Sequence, residues 1–146
     1  MSHYHFSCTN ITCCKVQAAG ILTLICDACA SPLEITYRRP GYGKTPLHDL
    51  DAPLTLGEGH TPVVELPAAA KSLGLGHLSA KLEYTNPTGS FKDRGTAVMV
   101  GVMREEGVLE LVEDSSGNAG ASVAAYCARA GIKAHIFVPA STPENK

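Results

Sequence analysis

The alternation of strand-like and helix-like segments in the second half of the sequence most constrains the fold. Apolar strand-like runs lie at residues 78–83, 109–113 and 135–138, and helix-like stretches lie between them at 92–106 and 118–130. Strands that are joined in sequence by helices pair in parallel through crossover connections. The order therefore predicts an α/β fold, with a parallel sheet in a three-layer arrangement.

The predicted parallel sheet is incomplete. Both faces of such a sheet have to be covered, and three strands with two complete helices do not easily achieve this. Ser141, Thr142 and Pro143 have the character of a helix N-terminus, and this further helix barely begins before the sequence ends. We therefore expect the chain to be the front part of a larger α/β domain.

Composition and charge exclude several classes of protein. With 45% hydrophobic residues among 146, the chain is not a disordered polymer. A net charge of −2 lacks the basic excess that would neutralise a nucleic-acid backbone. The apolar stretches fall short of the roughly 20 residues that span a bilayer. We expect a cytoplasmic protein that acts on a small molecule, without a nucleic-acid or membrane partner.

Cysteines are concentrated near the N-terminus, where five of the six lie at positions 8, 13, 14, 26 and 29. Such clustering is more typical of a metal knuckle than of a disulfide framework. It also argues against a secretory signal, which the apolar run up to Ile25 loosely imitates. Two residues separate Cys26 from Cys29, as in a standard knuckle, whereas four separate Cys8 from Cys13.

Four thiolates from this region could surround zinc tetrahedrally. The expected ligands are Cys8, Cys13, Cys26 and Cys29, and the sequence alone also allows Cys14 in place of Cys13. The alternative is a set of reduced thiols that bind no metal.

Three stretches of the chain differ in composition. Residues 1–38 are rich in cysteine and contain short strand-like runs at 20–25 and 33–37. Residues 39–55 contain proline, glycine and charge without periodicity, which is typical of a linker. Residues 56–146 form the α/β unit.

Lys92 lies where a tight turn at residues 86–89 leads into a helix. The positive potential at a helix N-terminus disfavours a charged amine, and a neutral amine is the form that attacks a carbonyl. Lys92 is therefore a candidate Schiff-base lysine. The alternative is a surface lysine that pairs with Asp93 or is simply solvated.

The second loop of interest, Ser-Ser-Gly-Asn-Ala-Gly at residues 115–120, also lies between a strand-like run and a helix. Backbone N–H groups, hydroxyls and a carboxamide at a helix N-terminus can bind a carboxylate or phosphate. The alternative is an ordinary helix cap in which glycine allows close packing of the helix on the sheet. Because both loops follow predicted parallel strands, we expect them at one sheet edge, where ligands of open α/β sheets bind.

Together with Gly-Glu-Gly-His-Thr-Pro at residues 57–62, these two loops closely resemble the fold-type II pyridoxal-phosphate enzymes, and most of all threonine synthase and its relatives. The resemblance implies that Lys92 binds pyridoxal 5′-phosphate covalently and later acts as acid and base. It implies that Phe91 shapes the cofactor pocket and that Asn118 hydrogen-bonds the 3′-oxygen of the cofactor. It further implies a loop that grips the substrate carboxylate, formed by Ser116, Gly117, Ala119 and Gly120.

For function, the resemblance implies a lyase of amino-acid biosynthesis that converts O-phosphohomoserine to threonine and phosphate, with a threonine or serine dehydratase as a related alternative. It makes a homodimer plausible for the full-length enzyme and a zinc ribbon plausible at the N-terminus. Nothing after Asn118 resembles the family's glycine-rich loop for the cofactor phosphate. We therefore expect an N-terminal fragment with little turnover by itself. A non-catalytic zinc-ribbon and partial α/β binding module is the competing hypothesis.

Overall fold

The computed structural model of the chain describes residues 4–18, 23–37 and 53–143. Its strands are β1 (Tyr4–Cys8), β2 (Val16–Gln17), β3 (Leu33–Tyr37), β4 (Val63–Glu65), β5 (Ser79–Lys81), β6 (Glu110–Glu113) and β7 (Lys133–Ile136). Its helices are α1 (Pro67–Ser72), α2 (Lys92–Glu105) and α3 (Asn118–Ala130). A short 3-10 helix, Glu83–Thr85, precedes α2.

The N-terminal part forms an antiparallel sheet with the strand order β2-β1-β3. β1 pairs with β3 along its whole length, and Ser7 and Thr36 join the two strands by a hydrogen bond of 2.8 Å between their hydroxyls. The strand predicted at 33–37 is confirmed. Residues 20–22 of the run predicted at 20–25 lie outside the described residues. Its described half forms no strand, and only Ile25 makes an isolated bridge with Pro32.

The predicted parallel pairing is confirmed for β6 and β7, with Glu110 opposite Lys133. The strand expected at 135–138 begins and ends two residues earlier than predicted. The same prediction was wrong for the run at 78–83, whose centre forms β5. β5 pairs antiparallel with β4 in a separate sheet. The exposed three-residue strand β4 gave no recognisable pattern, yet it supplies the backbone partners of β5.

Helices α2 and α3 begin where the sequence predicts, whereas α1 was not predicted. α3 ends at Gly131, which has the left-handed conformation with φ of 75°. α3 packs on β7, and α2 packs on α3. The buried residues of α2 lie at 93, 96, 97, 100 and 101, which is one helical stripe. Met99 lies outside this stripe and is 38% exposed.

One apolar core joins these elements and is formed by Leu54, Ala97, Val100, Val123, Tyr126, Cys127 and Ile132. Leu54 falls within the predicted linker, most of which lies outside the described residues. Where the further helix was predicted from Ser141, the described residues up to 143 form only a turn, in which Thr142 N–H donates to the Pro139 carbonyl. Within the described residues, no helix has both the length and the apolar character that a bilayer crossing requires.

Candidate functional site

Lys92 is the first residue of α2 and follows a tight turn. In that turn Gly89 has a left-handed φ of 81°, and its N–H donates to the Asn86 carbonyl at 2.8 Å. The side chains of Lys92 and Phe91 are both exposed, and Lys92 Nζ lies 5.1 Å from the centroid of the Phe91 ring. The Lys92 amine is therefore open to a ligand that approaches from solvent.

The side chain of Asp93 turns inward and holds this turn to α3. Its carboxylate is completely buried and accepts hydrogen bonds from the Thr88 N–H at 2.8 Å, from the Thr88 hydroxyl and from the Ser122 hydroxyl at 2.7 Å. A buried carboxylate requires such bonds, because loss of hydration is otherwise costly. Lys92 and Asp93 thus face different environments, which disfavours the alternative that they pair with each other.

The loop at residues 115–120 opens α3 and borders a cavity of about 400 Å³. The lining residues are Ser115, Ser116, Gly117, Asn118, Gly120, Ala121, Ala124, Ile136 and Val138. The lining therefore combines hydroxyl and amide groups with apolar side chains. Lys92, Phe91 and Ala119 were also predicted as site residues, but they are not among the residues that line it.

The start of α3 differs in detail from the predicted cap. The residue before the helix is Gly117, and no side chain caps the helix. Ser115 Oγ instead accepts a hydrogen bond from the Gly117 N–H at 3.2 Å. The first N–H groups of an α-helix have no partner inside the helix, so this end of α3 offers donors to a ligand.

Gly120 allows α3 to approach the preceding loop closely. A Cβ at this position would lie 2.1 Å from the Ser115 carbonyl oxygen and 3.3 Å from Ile136 Cγ2. This short distance supports the alternative interpretation, in which the glycine allows close packing of the helix. Its predicted role in binding a substrate carboxylate stays a prediction.

Glu58 ties the segment at residues 57–62 to α3. Its carboxylate accepts hydrogen bonds from the Tyr126 hydroxyl at 2.6 Å and from the Leu56 N–H at 3.0 Å. Burial alone would raise the pKa of Glu58, but the hydrogen bonds outweigh burial and lower it. Burial and the hydrogen bond to Glu58 raise the pKa of Tyr126.

Glu83 and Arg94 connect the same segment to α2. Arg94 donates to both carboxylate oxygens of Glu83 at 2.8 Å and also to the Thr61 hydroxyl at 3.1 Å. The hydrogen bond from Arg94 lowers the pKa of Glu83 to about 2. Asn86 donates to Glu83 at 3.0 Å and accepts from the Gly59 N–H at 3.1 Å. Two of the three sequence motifs are therefore joined by polar contacts.

Sequence reasoning missed the side chains that support Lys92. Asp93 was considered only as a partner for the lysine, and Ser122 was not considered. Helical spacing could have identified Asp93, because it lies on the same stripe as Ala97 and Val100, which are buried. His60, which belongs to the motif at residues 57–62, is exposed.

The four predicted metal ligands converge in space. The Sγ atoms of Cys8, Cys13, Cys26 and Cys29 all lie within 4.8 Å of one another. The Sγ atoms of Cys8 and Cys29 are 3.5 Å apart, and those of Cys13 and Cys26 are 3.8 Å apart. Four sulfurs placed tetrahedrally about 2.3 Å from zinc are about 3.8 Å from one another. These two paired distances are therefore close to those between the sulfurs of a zinc site.

The structure distinguishes Cys13 from Cys14, which the sequence did not. Cys14 Sγ donates to the Ile11 carbonyl at 2.8 Å and lies outside the cluster. The four residues between Cys8 and Cys13 form a turn that Asn10 stabilises. The Asn10 side-chain oxygen accepts hydrogen bonds from the Thr12 N–H and hydroxyl at 3.0 and 2.7 Å. An irregular spacing in sequence thus still gives a compact arrangement of thiols.

The thiols of the cluster differ in their electrostatic surroundings. Burial raises the pKa of the Cys8 thiol to about 12. Hydrogen bonds from the Ser31 side chain and backbone lower the pKa of the Cys29 thiol to about 6.

Residues 54–146 match a family of known proteins described as "Pyridoxal-phosphate dependent enzyme". The chain is similar to the threonine synthase of a Bacillus species, with 44% identity over 94 residues, which is 64% of this chain and 26% of that protein. It is 40% identical over 95 residues to the threonine synthase of a Synechocystis species, covering 64% of this chain and 25% of that protein. It is 44% identical over 94 residues to the threonine synthase of Methanocaldococcus jannaschii, covering 64% of this chain and 23% of that protein.

The chain spans about a quarter of the length of these relatives. The matched region contains both helices that carry the candidate site, α2 and α3. It also extends over most of the chain. The chain belongs to the pyridoxal-phosphate dependent enzyme family.

Proposed function

We propose that the chain carries the cofactor lysine and the substrate loop of a lyase that converts O-phosphohomoserine to threonine and phosphate. One observation carries the proposal most strongly. The exposed amine of Lys92 stands at the start of α2, and α2 is hydrogen-bonded through Asp93 to the helix whose start borders the cavity. The similarity to curated threonine synthases supports the choice of reaction.

The residues of this region fit pyridoxal phosphate. A cavity of about 400 Å³ lies within the range of small-molecule sites, and the start of α3 favours an anionic group. In the proposed arrangement Lys92 would hold the cofactor covalently, Phe91 would flank it, and the Asn118 carboxamide would hydrogen-bond its 3′-oxygen. When bound, the cofactor supplies an electron sink for the bond that breaks at the substrate Cα.

The other predicted residues would act on the substrate. The loop residues Ser116, Gly117, Ala119 and Gly120 would hold its carboxylate through backbone N–H groups and a hydroxyl. The Lys92 amine would move a proton at Cα, because one residue can serve in turn as base and acid. A threonine or serine dehydratase would need the same lysine and the same carboxylate-binding loop. It would differ in the substrate side chain that it accepts.

Covalent trapping tests the proposal. The 146-residue chain is incubated with pyridoxal phosphate, reduced with borohydride, digested and mapped by mass spectrometry. We expect the adduct on Lys92 and its loss in Lys92→Ala. Lys71→Ala is the matched control, because Lys71 is also an exposed lysine on a helix. Adducts spread evenly over the lysines would contradict the proposal.

Substrate choice is tested by calorimetry, in which each amino acid is titrated into the chain loaded with pyridoxal phosphate. Tighter binding of O-phosphohomoserine than of threonine or serine is expected for the synthase reaction. The reverse order would favour the dehydratase.

We also propose that residues 1–38 form a zinc-ribbon-like segment, joined through a linker at 39–55 to the catalytic α/β unit at 56–146. Zinc would be held by the four-cysteine cluster in a closed structural site. The distances of 3.5 and 3.8 Å between paired sulfurs support the proposal. Chain purified without chelator should contain one zinc, which Cys26→Ser should lose and Cys14→Ser should keep. Wild-type chain that is folded and free of zinc would refute the site.

A further inference from the structure

Asp93 is a buried carboxylate next to Lys92, and the proposed chemistry gives it no role. Its described hydrogen bonds come from neutral donors, the Thr88 N–H and hydroxyl and the Ser122 hydroxyl. Removing a carboxylate from water is costly, and a well-packed apolar side chain is often at least as stable in such a place. The neighbouring buried side chains Ala97, Val100 and Val123 show that an apolar interface is available between these helices. Stability alone therefore does not explain a carboxylate at this position.

The contacts of Asp93 join the two segments of the candidate site. Oδ2 accepts from Thr88, four residues before Lys92, and Oδ1 accepts from Ser122, four residues after Asn118. Unlike an apolar contact, these bonds are directional and specify one arrangement of α2 against α3. The close approach at Gly120 fixes α3 in turn against the loop after β6.

We propose that Asp93 is a positioning residue, which fixes the start of α2, and with it Lys92, relative to the start of α3. The inference rests on the proposed function of Lys92. The Cα atoms of Lys92 and Asp93 are about 3.8 Å apart, as in any trans peptide, so a displacement of Asp93 is transmitted directly to the base of the lysine side chain. The Lys92 amine and the loop at residues 115–120 would then be held in a fixed relation for a bound cofactor.

Ser122→Ala tests this role, because it removes the bond to α3 and leaves Asp93 with both Thr88 bonds. Chain and pyridoxal phosphate are mixed, quenched with borohydride at short times, and mapped. The readout is the rate of labelling at Lys92 divided by the rate at the exposed Lys133. A fall of about tenfold in this ratio is expected, since misplacement of a reacting group by a fraction of an ångström to 1 Å costs about this much or more.

Ser7→Ala is the matched control. It removes a hydroxyl hydrogen bond of 2.8 Å, similar in length to the 2.7 Å bond of Ser122, but in the N-terminal sheet. All variants are labelled well below their melting temperatures, and circular dichroism verifies that they are folded. Ser7→Ala should keep the wild-type ratio, because a loss of stability alone does not change site selectivity in the folded state.

Two results would overturn the inference in distinguishable ways. If Ser122→Ala keeps the wild-type ratio while wild type is labelled at Lys92, Asp93 is only structural and the proposed function stands. If wild type itself forms no adduct at Lys92, the proposed function fails and the positioning role fails with it.

Discussion

Replacing Gly120 with alanine tests the close approach between α3 and the loop that follows β6. The added Cβ would lie 2.1 Å from the Ser115 carbonyl oxygen and 3.3 Å from Ile136 Cγ2. A carbon atom normally stays about 3.3 Å or more from a carbonyl oxygen. The helix or the loop must therefore move by about 1 Å to accept the methyl group.

The expected cost follows from the nature of the two groups in conflict. The Cβ is fixed to the helix backbone and the Ser115 carbonyl is itself backbone, so rotation of a side chain cannot relieve their contact. Overpacking of this kind costs about 3 kcal/mol at the upper end of its usual range. Alanine gains about 1 kcal/mol over glycine in a helix, which leaves a net loss of about 2 kcal/mol. For a chain of this length, the melting temperature should fall by about 8 °C.

Urea and thermal unfolding, followed by circular dichroism, measure this loss. Gly95→Ala is the matched control, because Gly95 lies in α2 and an added Cβ would meet nothing within 4 Å. There the helix propensity of alanine should raise the free energy of unfolding by up to about 1 kcal/mol. A Gly120→Ala chain as stable as wild type would refute the close approach.

Three further predictions concern carboxylate and thiol contacts. Because the pKa of Glu83 falls from 4.5 to about 2 on folding, Glu83→Gln should be less stable than wild type at neutral pH, and the difference should shrink as pH falls from 4.5 to 2. Urea titrations at each pH measure it. Tyr126→Phe should lower the free energy of unfolding by about 2 kcal/mol, because its hydroxyl donates to a carboxylate. After chelator treatment and re-addition of zinc, Cys13→Ser should bind less zinc than Cys14→Ser, measured by metal analysis.

Each of these predictions has a clear contrary result. A constant difference between wild type and Glu83→Gln down to pH 2 would show that the carboxylate does not depend on Arg94 for its charge. Unchanged stability of Tyr126→Phe would mean that solvent replaces the lost bond. Equal zinc content in the two cysteine variants would show that Cys14 substitutes freely for Cys13.

The elements with strong sequence signals were predicted closely. Lys92 was placed at the start of α2, and the bounds of α3 follow from small and apolar residues between Asn118 and Gly131. The strand predicted at 33–37 is present as β3 and pairs with β1 along its whole length. Long periodic segments carry their own boundary signals, so tertiary contacts do not have to supply them.

The features that depend on distant partners were not predicted. β4 has three residues, and its pairing with β5 is set by contacts that no local pattern encodes. The choice between Cys13 and Cys14 depends on a turn held by Asn10, and both cysteines look alike in sequence. The inward direction of Asp93 likewise follows from the position of Ser122 on another helix.

The hydrogen bond between Glu58 and Tyr126 joins residues 68 positions apart in the chain. Closing a loop of that length lowers chain entropy substantially, whereas a helix such as α3 forms from local contacts within about a microsecond. The segment around Glu58 should therefore dock after α3 has formed, late on the folding pathway. Contacts that form after the transition state control the rate of unfolding, so this bond should lengthen the lifetime of the native chain while hardly changing how fast it folds.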